Sequence, residues 1–198
     1  MSFNRGGIET ALRVLGDRLR LRDAPRTGLV VCGGSAMIAL DLLSRATEDI
    51  DVLALADSDF TLGSAARFPK YLENAVKEVS AILDLSPGWL NRGPDFADGA
   101  SLKESLPDGI MERSHVREYG SHLTVFYIDR FDQLHFKVLA ASDGQSVHLS
   151  DLMALEPAAE EMESAARWCM SQCPSEGFRL AIMSMYSQLG FGDVADRL

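Results

Sequence analysis

The chain has 198 residues, a length typical of one domain with a small appendage, and 46% of its residues are hydrophobic, which is enough for a full core. Its formal net charge of −10 argues against broad binding to DNA or RNA, because such binding depends on lysine and arginine side chains that replace phosphate counterions. An apolar run of about 18 residues and the apolar core of a signal peptide are both missing from the sequence, so we expect a cytoplasmic protein that does not enter a membrane.

The cysteines indicate a reducing compartment. Cys32, Cys169 and Cys173 are an odd number without the spacing of a disulfide framework. Cys169 and Cys173 lie four residues apart on a predicted helix, but a zinc site needs two further ligands at suitable spacing, and none is apparent. We therefore expect no zinc site.

Hydrophobic spacing predicts a mixed α/β (α+β) fold, with a small mixed sheet flanked by helices and with helices at the C-terminus. We expect strands over 28–32, 49–55 and 122–128, and helices over 8–21, 35–44, 70–83, 131–141, 157–171 and 178–189. Pro157 suits the first position of its helix, and Gly190 suits the cap of the last one. The expected domains are 1–155 and a C-terminal helical extension over 156–198.

One stretch, 86–120, gives no clear order of elements because Gly, Pro, Asp and Ser interrupt every apolar pattern. Trp89 within it is more typical of a core anchor than of a platform that stacks on a nucleotide base. We therefore place Trp89 in the core and assign no element to the rest of the stretch.

A glycine pair separates the first predicted strand from the next helix. Gly33 and Gly34 allow the backbone to approach a ligand without an intervening Cβ, and the first N–H groups of a helix that Ser35 opens would favour an anion. The Ser35 hydroxyl could cap that helix or donate to a phosphate oxygen. A tight turn with a capping serine explains the same residues, so the turn alone does not decide between the two interpretations.

Two acids follow on the second predicted strand. Asp49 and Asp51 lie two residues apart, so both side chains should project from the same side of the strand, with their Cα atoms roughly 7 Å apart. Strands disfavour aspartate, and neighbouring carboxylates repel. A hard divalent cation such as Mg²⁺ would offset that cost, whereas two solvated aspartates on an edge strand are the alternative.

Together these residues resemble the signature of the DNA polymerase β-type nucleotidyltransferase superfamily. The resemblance covers residues 28–55: Gly33-Gly34-Ser35, thirteen residues, then Asp49-Ile50-Asp51-Val52, with Arg45-Ala46-Thr47-Glu48 as the lead-in to the acidic strand. It implies a nucleotidyltransferase fold in which the glycine turn holds a nucleoside triphosphate. It further implies that Asp49 and Asp51 bind Mg²⁺.

A second stretch, 127–155, resembles the tail of a bacterial nucleotidyltransferase-like group that includes toxins of abortive-infection and toxin–antitoxin systems. In that group a helix carries a lysine, a small-residue turn follows, and an aspartate opens the next helix; Lys137 and Asp151 match these positions. The resemblance implies that Lys137 offsets triphosphate charge and that Asp151 positions the acceptor or the metal. On the residues alone, Lys137 could instead extend to solvent and Asp151 could be a plain charge at a helix N-terminus.

The sequence departs from the superfamily at one point. Classical members carry a third acid on a later strand, but the predicted strand 122–128 has none, and Asp129 follows it by one residue. The resemblance implies a magnesium-dependent enzyme, toxin-like, that moves a nucleoside monophosphate from a nucleoside triphosphate to a hydroxyl of RNA or protein. The missing acid keeps an alternative open: a non-catalytic nucleotidyltransferase-fold binding module of a toxin–antitoxin or defence pair, with an antitoxin-like partner.

Overall fold

The computed structural model describes residues 2–57, 61–64, 67–92, 106–142 and 146–198. The chain divides into two compact units, a first unit, Met1–Asp129, and a second unit, Arg130–Leu198. The sequence-based boundary at 155/156 differs from this division, because the helix that begins at Arg130 packs mainly with the helices that follow it. The small-residue turn expected before Asp151 falls largely on 143–145, outside the described residues.

A mixed sheet forms the centre of the first unit, as the sequence predicts. Its strands are β1 (Thr27–Cys32), β2 (Ile50–Ala56), β3 (Leu62–Ser64), β4 (Leu90–Arg92), β5 (His115–Glu118) and β6 (Leu123–Tyr127). The strand order is β3-β2-β1-β6-β5, and β4 also pairs with β2. The β1–β6 and β2–β4 pairs are parallel, whereas β1–β2, β2–β3 and β5–β6 are antiparallel. Strands β3, β4 and β5 have no counterpart among the predicted elements.

The first unit buries one face of this sheet under helices. Its helices are α1 (Arg5–Leu21), α2 (Gly33–Ala39), α3 (Lys70–Leu83) and a short α4 (Ile110–Arg113). The Asn4 side chain accepts a hydrogen bond from the Gly7 N–H at 2.9 Å and so caps α1. The apolar face of α1, the apolar face of α3 and the fully buried Trp89 form one core with the sheet. The Trp89 indole N–H donates to the Val76 carbonyl at 3.2 Å, which fits the predicted core anchor.

Strand β2 contains a β-bulge at Leu53. Val30 pairs with Ala54, and the next residue of β1, Val31, pairs with Val52, so Leu53 is an extra residue on β2. A bulge of this kind breaks the alternation of side chains between the two faces of a sheet. Side chains before Leu53 are therefore out of step with those after it, so residues an even number apart across the bulge lie on opposite faces of the sheet.

The bulge decides where the acids of β2 lie. Ile50 and Val52 join the core under the helices, as Leu55 does on the other side of the bulge. Without the extra residue, Asp51 would share a face with Leu55, because alternate residues of a strand lie on one face. With it, Asp51 points away from the helical core.

The second unit is helical in its described residues. It contains α5 (Arg130–Ala141), α6 (Ser146–Ala154), α7 (Ala159–Gln172), α8 (Glu176–Gln188) and α9 (Gly192–Ala195). Helix α7 begins at Ala159 and not at Pro157, because the Glu161 side chain accepts from the Ala158 N–H at 2.9 Å and fixes the start there. Gly190 follows α8 with φ +88°, a conformation that favours glycine and ends the helix as predicted.

A helix that spans a bilayer must be both long and apolar. None of the helices in the described ranges combines the required length with the required apolar character.

Candidate functional site

The turn after β1 begins its helix two residues earlier than predicted. Helix α2 starts at Gly33, with Cys32 as its N-cap, and ends at Ala39 instead of continuing to 44. Ser35 is therefore the third residue of the helix, and it is fully buried. Its hydroxyl donates to the Cys32 carbonyl at 3.2 Å. Ser35 is therefore not the cap, and because a hydroxyl carries a single O–H donor, its proton is used within the turn and is not available to a phosphate oxygen while that bond is made.

Gly33 and Asp51 are in direct contact. Cys32 pairs with Asp51 across β1 and β2, which brings the start of α2 beside the Asp51 carboxylate. A Cβ built on Gly33 would lie 2.7 Å from Oδ2 of Asp51, and Gly33 has φ +70°. The structure thus joins two sequence-predicted site residues, and a side chain at position 33 would be strained by the positive φ and would displace the Asp51 carboxylate.

Asn91 completes this edge of the sheet, and sequence reasoning missed it. Strand β4 runs parallel to β2 and places Asn91 opposite Asp51. The Asn91 amide donates through Nδ2 to Oδ2 of Asp49 at 2.9 Å. Asp51 lies on β2 and Asp49 immediately before it, and Asn91 places a neutral amide beside both. The shared face of the two acids stays a prediction. Only a β4 assignment could have pointed to Asn91, and Leu90–Arg92 is too short to show a strand pattern.

Two residues of the lead-in segment lie against Gly34. A Cβ on Gly34 would be 3.2 Å from Nη2 of Arg45 and 3.2 Å from Oγ1 of Thr47. Arg45 is exposed and donates through Nη1 to the Ala46 carbonyl at 2.9 Å, whereas Thr47 is buried. A guanidinium group is thus held at the glycine turn, a role that the sequence did not suggest for Arg45.

Lys137 and Asp151 contact each other inside the second unit. The Lys137 ammonium donates to Oδ2 of Asp151 at 2.7 Å, and the two side chains are 7% and 2% exposed. Lys137 does not extend to solvent. Asp151 lies inside α6 and does not open it, which contradicts both the alternative of a plain N-terminal charge and the helix-opening position that the resemblance implies. The roles that the resemblance implies for this pair stay a prediction.

The structure also shows which of the predicted acids are placed to bind a metal ion. Asp129 lies beyond β6 and contacts Nε2 of His115 at 3.0 Å. Within the described part of the chain, no group of three or more His, Cys, Asp and Glu side chains is arranged to hold a metal ion. Asp51 is the carboxylate against the turn, Asn91 lies opposite it and Asp49 is bonded to Asn91, and Mg²⁺ accepts carboxylate and amide oxygens alike.

Comparisons with known proteins give no relative from which to transfer a function. No protein-family model matches the chain, and no curated protein or solved structure matches it either. The side chains at this edge of the sheet are therefore the basis for a proposed function.

Proposed function

We propose that the first unit has a nucleotidyltransferase fold of the DNA polymerase β type and binds a magnesium-bound nucleoside triphosphate beside the β1–α2 turn. The observation that carries the proposal is the contact between Gly33 and Asp51. A glycine with positive φ and a strand carboxylate are costly features apart, and the missing side chain at position 33 lets the Asp51 carboxylate lie directly against the turn that would hold the phosphates. The bulge at Leu53 supports the same conclusion, because it turns Asp51 away from the core.

The residues would act mainly by positioning and charge. Asp49 and Asp51 would hold Mg²⁺, which neutralises phosphate charge when bound, and Asn91 would orient Asp49 through its donated hydrogen bond. An acceptor hydroxyl oxygen would attack the α-phosphorus and form a new P–O bond as the bond to pyrophosphate breaks. One of the two carboxylates would accept the hydroxyl proton, and pyrophosphate would leave with the displaced electron pair.

The proposed acceptor is a hydroxyl of RNA or protein, and the proposed context is a toxin-like component with an antitoxin-like partner. One observation favours a non-catalytic binding module instead: Asn91, an amide, lies opposite Asp51 where a further carboxylate would add charge for a second cation. The two functions share triphosphate binding and differ only in transfer.

Thermal melts with Mg²⁺ and each of the four nucleoside triphosphates test the binding step. A ligand at a hundredfold excess over Kd should stabilise the protein by about 2.7 kcal/mol, and Mg²⁺ should be required. Asp49→Asn and Asp51→Asn should abolish the shift. The control is Asp17→Asn, because Asp17 is an exposed acid on α1 whose nearest cation, Arg20, lies at 3.6 Å. No shift with any nucleotide at millimolar concentration would overturn the proposal.

Transfer of label from an α-labelled nucleotide separates the enzyme from the module. Cell extract supplies RNA and protein as acceptors, and the wild type is compared with Asp51→Asn. Label that appears only with the wild type supports the enzyme. Nucleotide binding without label on RNA or protein supports the module.

A further inference from the structure

We propose that α6 is a hinged helix that opens from α5 while the rest of the second unit stays folded, and that the Lys137–Asp151 ion pair is its latch. This motion lies within the second unit and is independent of the nucleotide site proposed for the first unit. Opening exposes the inner face of α6, where Asp151 and Leu152 are now buried, without global unfolding.

A buried ion pair joins α6 to α5. Lys137 on α5 donates to Oδ2 of Asp151 on α6 at 2.7 Å, and the two side chains are 7% and 2% exposed. Burial removes both charges from water, and this cost offsets most of the attraction between them. Loss of either charge leaves the other buried and unpaired, which strongly disfavours the closed position. The closed position of α6 therefore depends on both charges.

Helix α6 depends on its packing with α5 to stay helical. It spans nine residues, and isolated helices of this length are not stable in water. Within these nine residues the first turn carries no acidic residue and the last turn no basic residue, so the charges that stabilise helix ends are missing. Val147 and Met153 are exposed, so these two apolar side chains add little to the packing. We therefore expect α6 to open more readily than α5 and α7.

The chain that leaves the C-terminal end of α6 is fixed separately and supplies the hinge. Arg130, the first residue of α5, donates to the Leu155 carbonyl at 2.8 Å and to the Glu156 carbonyl at 2.9 Å. The same guanidinium donates to both carboxylate oxygens of Glu161 on α7, at 2.6 and 3.0 Å. Glu156 has φ +49°, so the backbone leaves the helical conformation there. Helix α6 can therefore turn about Leu155 and Glu156 while Arg130 keeps them attached to α5 and α7.

Hydrogen exchange of backbone amides in the full chain, measured by mass spectrometry, tests the opening. Amides over 150–154 of α6 should exchange about tenfold or more faster than those over 163–172 of α7, because local opening exposes only α6. Their exchange should also rise less steeply with urea, because opening exposes less surface than unfolding does. Equal rates and equal urea dependence in the two helices would overturn the proposal, since α6 would then open only when the whole unit unfolds.

Two substitutions separate the latch from the hinge. Lys137→Met should accelerate exchange over 150–154 by about a hundredfold, because the Asp151 carboxylate is then unpaired in the closed position, and adding Asp151→Leu should reverse most of this change. Arg130→Met should leave exchange over 150–154 unchanged while it lowers the stability of the unit in urea, because the Arg130 hydrogen bonds persist in the open form.

The control variant is Arg167→Met, because Arg167 is an exposed arginine on α7 whose pair with Glu163, at 2.8 Å, belongs to neither the latch nor the hinge. It should leave exchange over 150–154 unchanged. If Lys137→Met accelerates that exchange no more than Arg167→Met does, the ion pair is not a latch. If Arg130→Met accelerates it as much as Lys137→Met does, α6 is released at both ends and the hinge is wrong.

Discussion

The carboxylate of Asp51 occupies the space that a side chain at position 33 would need: a Cβ on Gly33 would lie 2.7 Å from Oδ2 of Asp51. Gly33 also has φ +70°, which L-residues with a side chain adopt at a cost. The cost of the positive φ and the cost of the contact are separate, because the first is a property of the Gly33 backbone and the second depends on a side chain of β2. The turn is therefore constrained by the same carboxylate that is proposed to hold the metal.

Gly33→Ala should lower the stability of the first unit by about 3 kcal/mol, which combines the cost of positive φ with the cost of the contact. Gly120 provides a matched control, because it has φ +80° and a Cβ added there would meet nothing within 4 Å, so Gly120→Ala should show the backbone cost alone, about 1 kcal/mol. Urea unfolding gives both values. In the double variant with Asp51→Ala, the contact part of the Gly33→Ala loss should disappear; full additivity would contradict the contact.

Lys137→Met should destabilise the second unit by about 3 kcal/mol, because it leaves the Asp151 carboxylate buried and unpaired. Replacing both partners, as Lys137→Met with Asp151→Leu, should recover most of that loss. An exposed pair serves as the control: Arg13→Met removes the 3.5 Å pair with Glu9 and should change stability by less than about 0.5 kcal/mol. Equal, small effects of Lys137→Met and Arg13→Met in urea unfolding would mean that the buried pair does not form.

The periodic elements could be predicted from the sequence, because their apolar spacing is local. Strand β1 and helix α3 agree with expectation to within one residue, since each buries a regular face in the core. The end of α2 could not be predicted. Its apolar run continues beyond residue 39, but Asp41 has φ +60° and the Leu42 N–H bonds back to the Met37 carbonyl, so the same apolar residues form a turn.

Only part of the candidate site could be predicted from the sequence. The nearness of Gly33 to Asp51 could be predicted, because β1, the turn at Gly33 and β2 follow one another in the chain and successive strands often pair. Asn91 joins them through β4, a short strand that only a non-local pairing defines. The Lys137–Asp151 contact depends on the packing of α5 against α6, and a sequence shows two charges on two helices without their distance.

The three thiols should differ in reactivity. Cys173 is exposed, whereas Cys32 and Cys169 are buried. Burial raises the pKa of the Cys169 thiol well above its ordinary value, so the thiol stays protonated and unreactive at pH 8. Ellman's reagent should therefore titrate one thiol in the native protein and three in urea, and Cys173→Ser should remove the native signal. A fast reaction in that variant would contradict the buried environment of the other two.

Asn91→Asp should increase the affinity of the site for Mg²⁺. The substitution replaces the amide that donates to Asp49 with a third carboxylate beside Asp49 and Asp51. Like charges at this spacing repel by about 1 kcal/mol in water, so the metal-free protein should melt at a lower temperature. The same added charge should tighten Mg²⁺ binding on the order of tenfold, because carboxylate count tunes the affinity of such sites.

Melting with and without Mg²⁺ separates these two effects. Asn74→Asp is the control, because Asn74 is a half-buried asparagine on α3 and the same chemical change there adds charge away from β2. Mg²⁺ should restore the melting temperature of Asn91→Asp to the wild-type value or above and should leave Asn74→Asp unaffected. If Mg²⁺ does not raise the melting temperature of either variant, the two aspartates do not hold a metal. The Asn91 amide then serves only to orient Asp49 through their hydrogen bond.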